Sequence, residues 1–269
     1  MRAAHASAAA LVLALVAACA RRQAPAGEVS PPAAHAAVSA SVRDAASLVR
    51  AMHDRWADRW YRTVAFRQRT SRVLPNDSVA SETWYEWASL PGKLRIQMGE
   101  AAEGRGAIYS GDSTFVVRND SVVRRAAGRN LLLVLGFDVY AQPPERTLAI
   151  LREEGIDLET LHADHWEGRP VWVVGAAPGD LRAKQFWVEQ DRLLFVRLLE
   201  PSGADSSRTS DVRFTDYAPL GRAWIAPRVE AWTGGRRVFW EEYAGMRADP
   251  VLAPVLFDPD RWAAGLATP

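Results

Sequence analysis

Cysteine is almost absent. Cys19 is the one cysteine in the chain, which excludes an internal disulfide and any site built on paired thiolates. Lysine is nearly as scarce, with only Lys93 and Lys184, so arginine carries the positive charge. The formal net charge of +1 gives no electrostatic ground for nucleic acid as a partner. No apolar run reaches the roughly 20 residues needed to cross a bilayer as a helix. Catalytic signatures are missing as well. Gly99, Gly104 and Gly106 do not have the spacing of a phosphate loop. Gly111-Asp112-Ser113 reads as a turn, with no G-x-S-x-G elbow around it. His162-Ala163-Asp164-His165 is the only cluster of potential metal ligands, and a metal needs three or four that converge. Glu153-Glu154 and Glu241-Glu242 are neighbours in sequence that point different ways in either regular structure, so they read as solvated charge. The sequence predicts no catalytic residue, no metal and no cofactor, and hence a protein that is not an enzyme.

What is present begins at the N-terminus. Met1-Arg2 is a short positive start before a mostly apolar, uncharged run from Ala8 to Ala18, with the length and flanks of a secretory signal. Residues 1–18 are expected to be a signal peptide. The run ends in Leu15-Val16-Ala17-Ala18-Cys19, which resembles a bacterial lipobox, where small residues precede a cysteine that is acylated and becomes the new N-terminus. The resemblance implies lipid on Cys19, which would account for a single unpaired thiol in an exported chain. The alternative is an ordinary signal with a cysteine there by chance. One acyl chain anchors only marginally, at about 0.8 kcal/mol per buried methylene, so the several chains this modification implies would hold the protein to a membrane. Ala20 follows where an aspartate would signal inner-membrane retention, which points to the periplasmic face of the outer membrane. Residues 19–41 join this attachment point to a stretch rich in Ala and Pro, with Pro25, Pro31 and Pro32, expected to be a tether. Residues 42–269 are left as one domain.

Within that domain, Val42, Ala45, Leu48, Val49, Met52 and Trp56 recur at helical spacing, with Ser41 placed to cap. From Thr63 the period becomes two. Short strands separated by Pro75-Asn76-Asp77, Pro91-Gly92, Gly111-Asp112 and Asn119-Asp120 predict an antiparallel meander. One insertion interrupts it. Leu131 to Leu135 is an unbroken apolar run, and Glu145 to Glu154 follows Pro143-Pro144 with helical spacing and ends at Gly155, the capping asymmetry of a helix. A second set of strands then runs from Pro170 to Met246, with Ala223 to Trp232 read as one of them. The tail from Asp249 to Trp262 should wrap the surface with Leu256 and Phe257 tucked in. The prediction is an α+β, mainly β fold: a single curved antiparallel sheet, a half-barrel of about ten or eleven strands, with an N-terminal helix and an inserted helical lid.

That order of elements resembles the LolA/LolB outer-membrane lipoprotein-sorting family, with its lipid-binding relatives of the LppX and RseB type. Leu90-Pro91-Gly92-Lys93-Leu94-Arg95-Ile96 is similar to the family's turn into a basic strand, and Phe186-Trp187-Val188-Glu189 to its aromatic strand. Phe214-Thr215-Asp216-Tyr217, Pro227-Arg228-Val229-Glu230 and Leu256-Phe257-Asp258 resemble its later segments. The match covers most of residues 42–262. It implies an apolar cavity for acyl chains, so the partners would be acyl chains or lipoproteins, and a membrane through the anchor. The role implied is carrier or receptor in lipoprotein sorting; the alternative is an envelope lipid-sensing module similar to RseB, acting through a protein partner.

The candidate ligand-binding residues follow from the alternation and from the insertion. Leu94, Ile96 and Met98 share one face of a strand, and Leu131, Leu133, Leu135 and Phe137 make up the insertion, which reads either as an exposed apolar loop or as a buried lid helix. Trp187 is a further candidate, although the alternation leaves open whether it or the pair Phe186 and Val188 faces inward. Trp84 and Trp87 must face opposite ways, being three apart. Tryptophans on strands serve either as core filling or as cavity lining.

Overall fold

The computed structural model describes residues 42–202 and 207–265. The expected signal peptide, Cys19, the tether and Ser41 lie outside these residues. Helix α1 spans Ala45–Trp56 and buries Ala45, Leu48, Val49, Met52 and Trp56, the apolar stripe seen in the sequence. Its cap is Asp44, whose side chain accepts from the Ser47 amide at 2.7 Å while Ser47 Oγ accepts from the Asp44 amide at 3.0 Å. Two otherwise orphaned donors are thereby satisfied.

Six strands follow: β1 Thr63–Val73, β2 Val79–Ser89, β3 Lys93–Met98, β4 Gly106–Ser110, β5 Ser113–Arg118 and β6 Ser121–Ala127. Helices α2 (Leu131–Gly136) and α3 (Pro144–Glu153) come next, with a 3-10 turn at Asp138–Tyr140 between them. The second run comprises β7 Leu161–Trp166, β8 Arg169–Val174, β9 Gln185–Glu189, β10 Phe195–Pro201 and β11 Thr209–Thr215. After it come β12 Ala218–Leu220, β13 Ala223–Ile225, β14 Arg228–Thr233 and β15 Arg236–Ala248. The main sheet has 13 strands in the order β6-β5-β4-β3-β2-β1-β15-β14-β11-β10-β9-β8-β7, more than the ten or eleven expected. One predicted strand, Ala223 to Trp232, is in fact two. β13 pairs only with β12 in a separate ribbon, and the chain then turns at Ala226 and Pro227 to enter the sheet as β14.

The architecture is the expected one: a single curved antiparallel sheet, not closed into a barrel, with helices against its concave face. The topology explains the lid. β6 and β7 are the two opposite edges of the sheet, so the chain between them must travel from one edge to the other. α2, Asp138–Tyr140 and α3 make that crossing over the concave face, and the last two meet α1 there. The main core lies in this layer. Trp60 lies tilted against Tyr140, with ring centroids 3.9 Å apart, and the Tyr140 hydroxyl accepts from the Phe195 amide at 2.9 Å, tying the crossing to the sheet. The insertion is therefore a buried lid helix rather than an exposed loop: Leu131, Leu133 and Leu135 are all buried.

The tail covers part of the convex face. Leu256 and Phe257 pack with Trp87 and Ala65, and Trp262 packs with Ile108 and Val117. Arg95, fully buried, fixes this arrangement. Its guanidinium donates to the Leu256 and Trp262 carbonyls at 3.2 Å each and lies 3.5 Å from the Trp262 ring centroid. Among the described residues no helix is long and apolar enough to cross a membrane.

Candidate functional site

The concave face can be read in rows across β1, β2 and β3. Val64, Ala88 and Leu94 oppose one another in the first row, and Phe66, Glu86 and Ile96 in the second. Gln68, Trp84 and Met98 form the third. The first row is buried under the helices, whereas Trp84 and Met98 in the third are half-buried. The covered end of the groove thus opens outward at the second row.

A cavity of about 80 Å³ lies at that opening, between the sheet and α2. Ile96, Phe66 and Phe214 line its sheet side, and Leu132, Leu133 and Phe137 line its lid side. A second cavity, of about 250 Å³, lies on the other side of α2 and runs toward Tyr109, Asp138 and Arg146. Asn130 and Leu133 line both cavities, so they form the wall between them. Neither space reaches the roughly 300–1,000 Å³ typical of a small-molecule site. Asn130 caps α2, its side-chain oxygen accepting from the Leu132 and Leu133 amides at 3.0 and 3.2 Å. With six residues, α2 is far too short to be stable alone; packing and this cap hold it.

The polar groups at the opening were not legible in the sequence. Glu86 projects into the first cavity from β2, and Glu241 and Tyr243 project from β15. The reading of Glu241-Glu242 as solvated charge is corrected for one of the two. Glu242 is exposed and lies 3.5 Å from Arg228, whereas Glu241 faces inward and accepts from Gln68 at 2.9 Å and from the Tyr243 hydroxyl at 3.0 Å. Glu241 keeps some solvent contact through the groove although protein surrounds it at depth. Burial pushes the Glu86 carboxyl well up, and the nearby Glu241 charge adds to this. Glu241 is raised too, by burial against the opposing hydrogen bonds from Tyr243 and Gln68. In the second cavity burial pushes Asp138 up to about 7, partly offset by the Gly92 amide that donates to it.

Of the candidates from the sequence, Leu94, Ile96, Leu133 and Phe137 meet at the first cavity. Met98 packs beside them, in the outer row, and Leu131 and Leu135 are buried in the same core. Trp187 is not brought there. It lies on the opposite face with Val171, Val173 and Leu199, under the Arg197 guanidinium at 4.5 Å, while Phe186 and Val188 face the concave core. The two-residue period fixed that these sets oppose each other, and only the sheet's curvature decided which is inside. Trp84 packs against the concave core and Trp87 on the convex face, as their separation requires. Cys19 is outside the described residues. Among the described residues no group of three or more His, Cys, Asp or Glu could hold a metal ion.

No family model matches this chain, and no curated protein matches its sequence. Solved structures do resemble it. A DUF1329 family protein from Desulfovibrio piger is similar at a TM-score of 0.53 and 13% identity, over 79% of this chain and 95% of that one; at such identity the likeness bears on fold alone. A LolA superfamily protein from Nitrosomonas europaea is similar at a TM-score of 0.49 and 14% identity, over 80% of this chain and 98% of that one. A domain from Vibrio parahaemolyticus described as outer membrane lipoprotein-sorting has a TM-score of 0.41 and 10% identity, over 79% of this chain and 95% of that one.

Proposed function

We propose that this chain is a non-enzymatic envelope protein that holds the acyl chains of lipoproteins, or of a related amphiphile, between its concave sheet face and the lid. It would be tethered by lipid on Cys19 at the periplasmic face of the outer membrane and act there as carrier or receptor. One observation carries the reading: a short, packing-dependent helix is the wall between two cavities that flank an apolar concave face. Moving Leu133 and its neighbours would join the cavities. Each methylene then taken from water contributes about 0.8 kcal/mol, enough over a long chain to offset the ordering of ligand and lid.

The test uses the full chain and N-phenyl-naphthylamine, a neutral apolar fluorophore whose emission rises in apolar sites. Binding is expected, with displacement by a solubilised lipoprotein. Leu132→Gln should weaken it about tenfold, because Leu132 lines the cavity and is only half-buried, so the fold should survive. A folded chain that binds neither probe nor lipoprotein would overturn the carrier reading. The anchor is tested separately: Cys19→Ser should move the protein from the membrane fraction to the soluble fraction. A wild-type protein that is wholly soluble would remove the anchor from the proposal.

A further inference from the structure

Acyl chains need no carboxylates, yet two carboxyls stand where the covered cavity opens. Glu86 lies on β2 in the row between the buried first row and the third, where Trp84 and Met98 are half-buried, and Glu241 reaches the same cavity from β15, on the far side of β1. A donor and acceptor count at this point does not balance. Both amide protons of Gln68 are used, toward Thr70 Oγ1 at 3.0 Å and Glu241 Oε1 at 2.9 Å, and the Tyr243 hydroxyl is used on Glu241 Oε2. Gln68 Oε1, in a side chain 1% exposed, has no partner among the described residues. Glu86, which must share the same Gln68 amide, brings two more acceptors and, when ionised, no donor. Buried acceptors without donors are costly, so the cluster calls for a proton or for a donor supplied from outside.

We propose that Glu86 and Glu241, with Gln68 behind them on Glu241, form a head-group site, which takes an amphiphile whose polar end donates hydrogen bonds and carries no negative charge, a primary ammonium above all. The inference rests on the acyl-chain reading above and assigns the orientation. The chain runs inward beneath α2, where Val64, Ala88 and Leu94 offer only apolar surface, and the head stays at the second row. An ammonium supplies the three donors that the cluster lacks. Its positive charge also favours the ionised forms of Glu86 and Glu241 and pairs with them in a site of reduced dielectric, where such a pairing is stronger than in water. A carboxylate head would add acceptors and a like charge at the same place, so fatty-acid anions are disfavoured. The net charge of +1 is too small for long-range attraction to produce this ordering.

The experiment titrates the full chain calorimetrically at pH 7.5 with dodecylamine and with laurate, chains of equal length below their micellar concentrations. The amine should bind at least about tenfold tighter than laurate, roughly 1.4 kcal/mol of discrimination. In Glu86→Gln/Glu241→Gln that ratio should fall toward one. Glutamine keeps the shape and adds donors, so thermal melting should report a folded variant. Equal binding of both ligands by the wild-type chain, or tighter binding of laurate, would overturn the head-group site while leaving the acyl-chain reading intact. A preference for the amine that survives in the double variant would overturn its assignment to these residues. If a folded wild-type chain binds neither, the acyl-chain reading fails and the head-group site falls with it.

Discussion

Buried carboxyls on the two faces of the sheet are handled in opposite ways. On the convex face burial pushes Asp211 up, but hydrogen bonds from Arg197 and Arg213 outweigh it and hold the group below the usual carboxylate range. Glu230 is held down in the same way, chiefly by Arg228 and Arg237. Glu86, Glu241 and Asp138 make no ion pair among the described residues and are raised, chiefly by burial. A raised carboxyl binds its proton more tightly when folded, so its contribution to stability is full below the unfolded value and is lost as pH rises through the folded one. The lowered groups act at more acidic pH and are already ionised by about pH 5. Melting temperature should therefore fall between about pH 5 and pH 8, and Glu86→Gln should flatten part of that slope. A profile that rises over this interval in the wild type would contradict the burial of these carboxyls.

At the scale of elements, the lid and the tail are the two pieces held by few, identifiable contacts. Asn130→Ala removes the oxygen that satisfies two amides of α2 and should destabilise that turn by about 1 kcal/mol. Hydrogen exchange at Leu132 and Leu133 should accelerate well beyond that of β1 and β2, the expected signature of a locally opening lid. Equal acceleration throughout the sheet would mean that α2 is no separate unit. The tail depends on Arg95, whose pKa burial brings down to about 10, still charged near neutrality. Arg95→Leu leaves the Leu256 and Trp262 carbonyls without these donors and removes the cation from the Trp262 ring. Cleavage by trypsin after Arg261 should become about tenfold faster, and stability should fall by roughly 1–3 kcal/mol for the lost charged hydrogen bonds.

For the whole molecule the decisive contact is the pairing of β1 with β15 in the middle of the sheet. It joins the first strand to the last, so the two meanders cannot finish independently and each half lends the other a partner. Trp240 sits in β15 opposite Ser71 on one side and Glu230 on the other. Trp240→Pro should prevent folding, because proline cannot serve the ladder at the centre of a sheet. Val123 lies on edge strand β6, is 56% exposed, and falls between the paired residues Val122 and Arg124 at a register shift. Val123→Pro should therefore change stability by about 1 kcal/mol or less, since edges and bulges tolerate proline. Circular dichroism melts of the two variants would separate these cases. If both fold, the central pairing is not what unites the sheet.

The periods in the sequence were enough for the helix at Ala45–Trp56, for the meanders and for the opposition of Trp84 to Trp87, because residue spacing alone decides which side chains share a face. The apolar run from Leu131 and the Pro-led segment after it likewise marked the insertion without any tertiary information. Spacing does not say which face is inside, so Trp187 and the Phe186–Val188 pair could be assigned only once the sheet had curved. Nor could it show that Ala223 to Trp232 is divided, because the division is made by strand partners far along the chain. Glu241 is the clearest case. Beside Glu242 it looks like ordinary surface charge, and it becomes part of a cavity because β15 pairs with β1, bringing it to Gln68 across a sequence separation that no local pattern records.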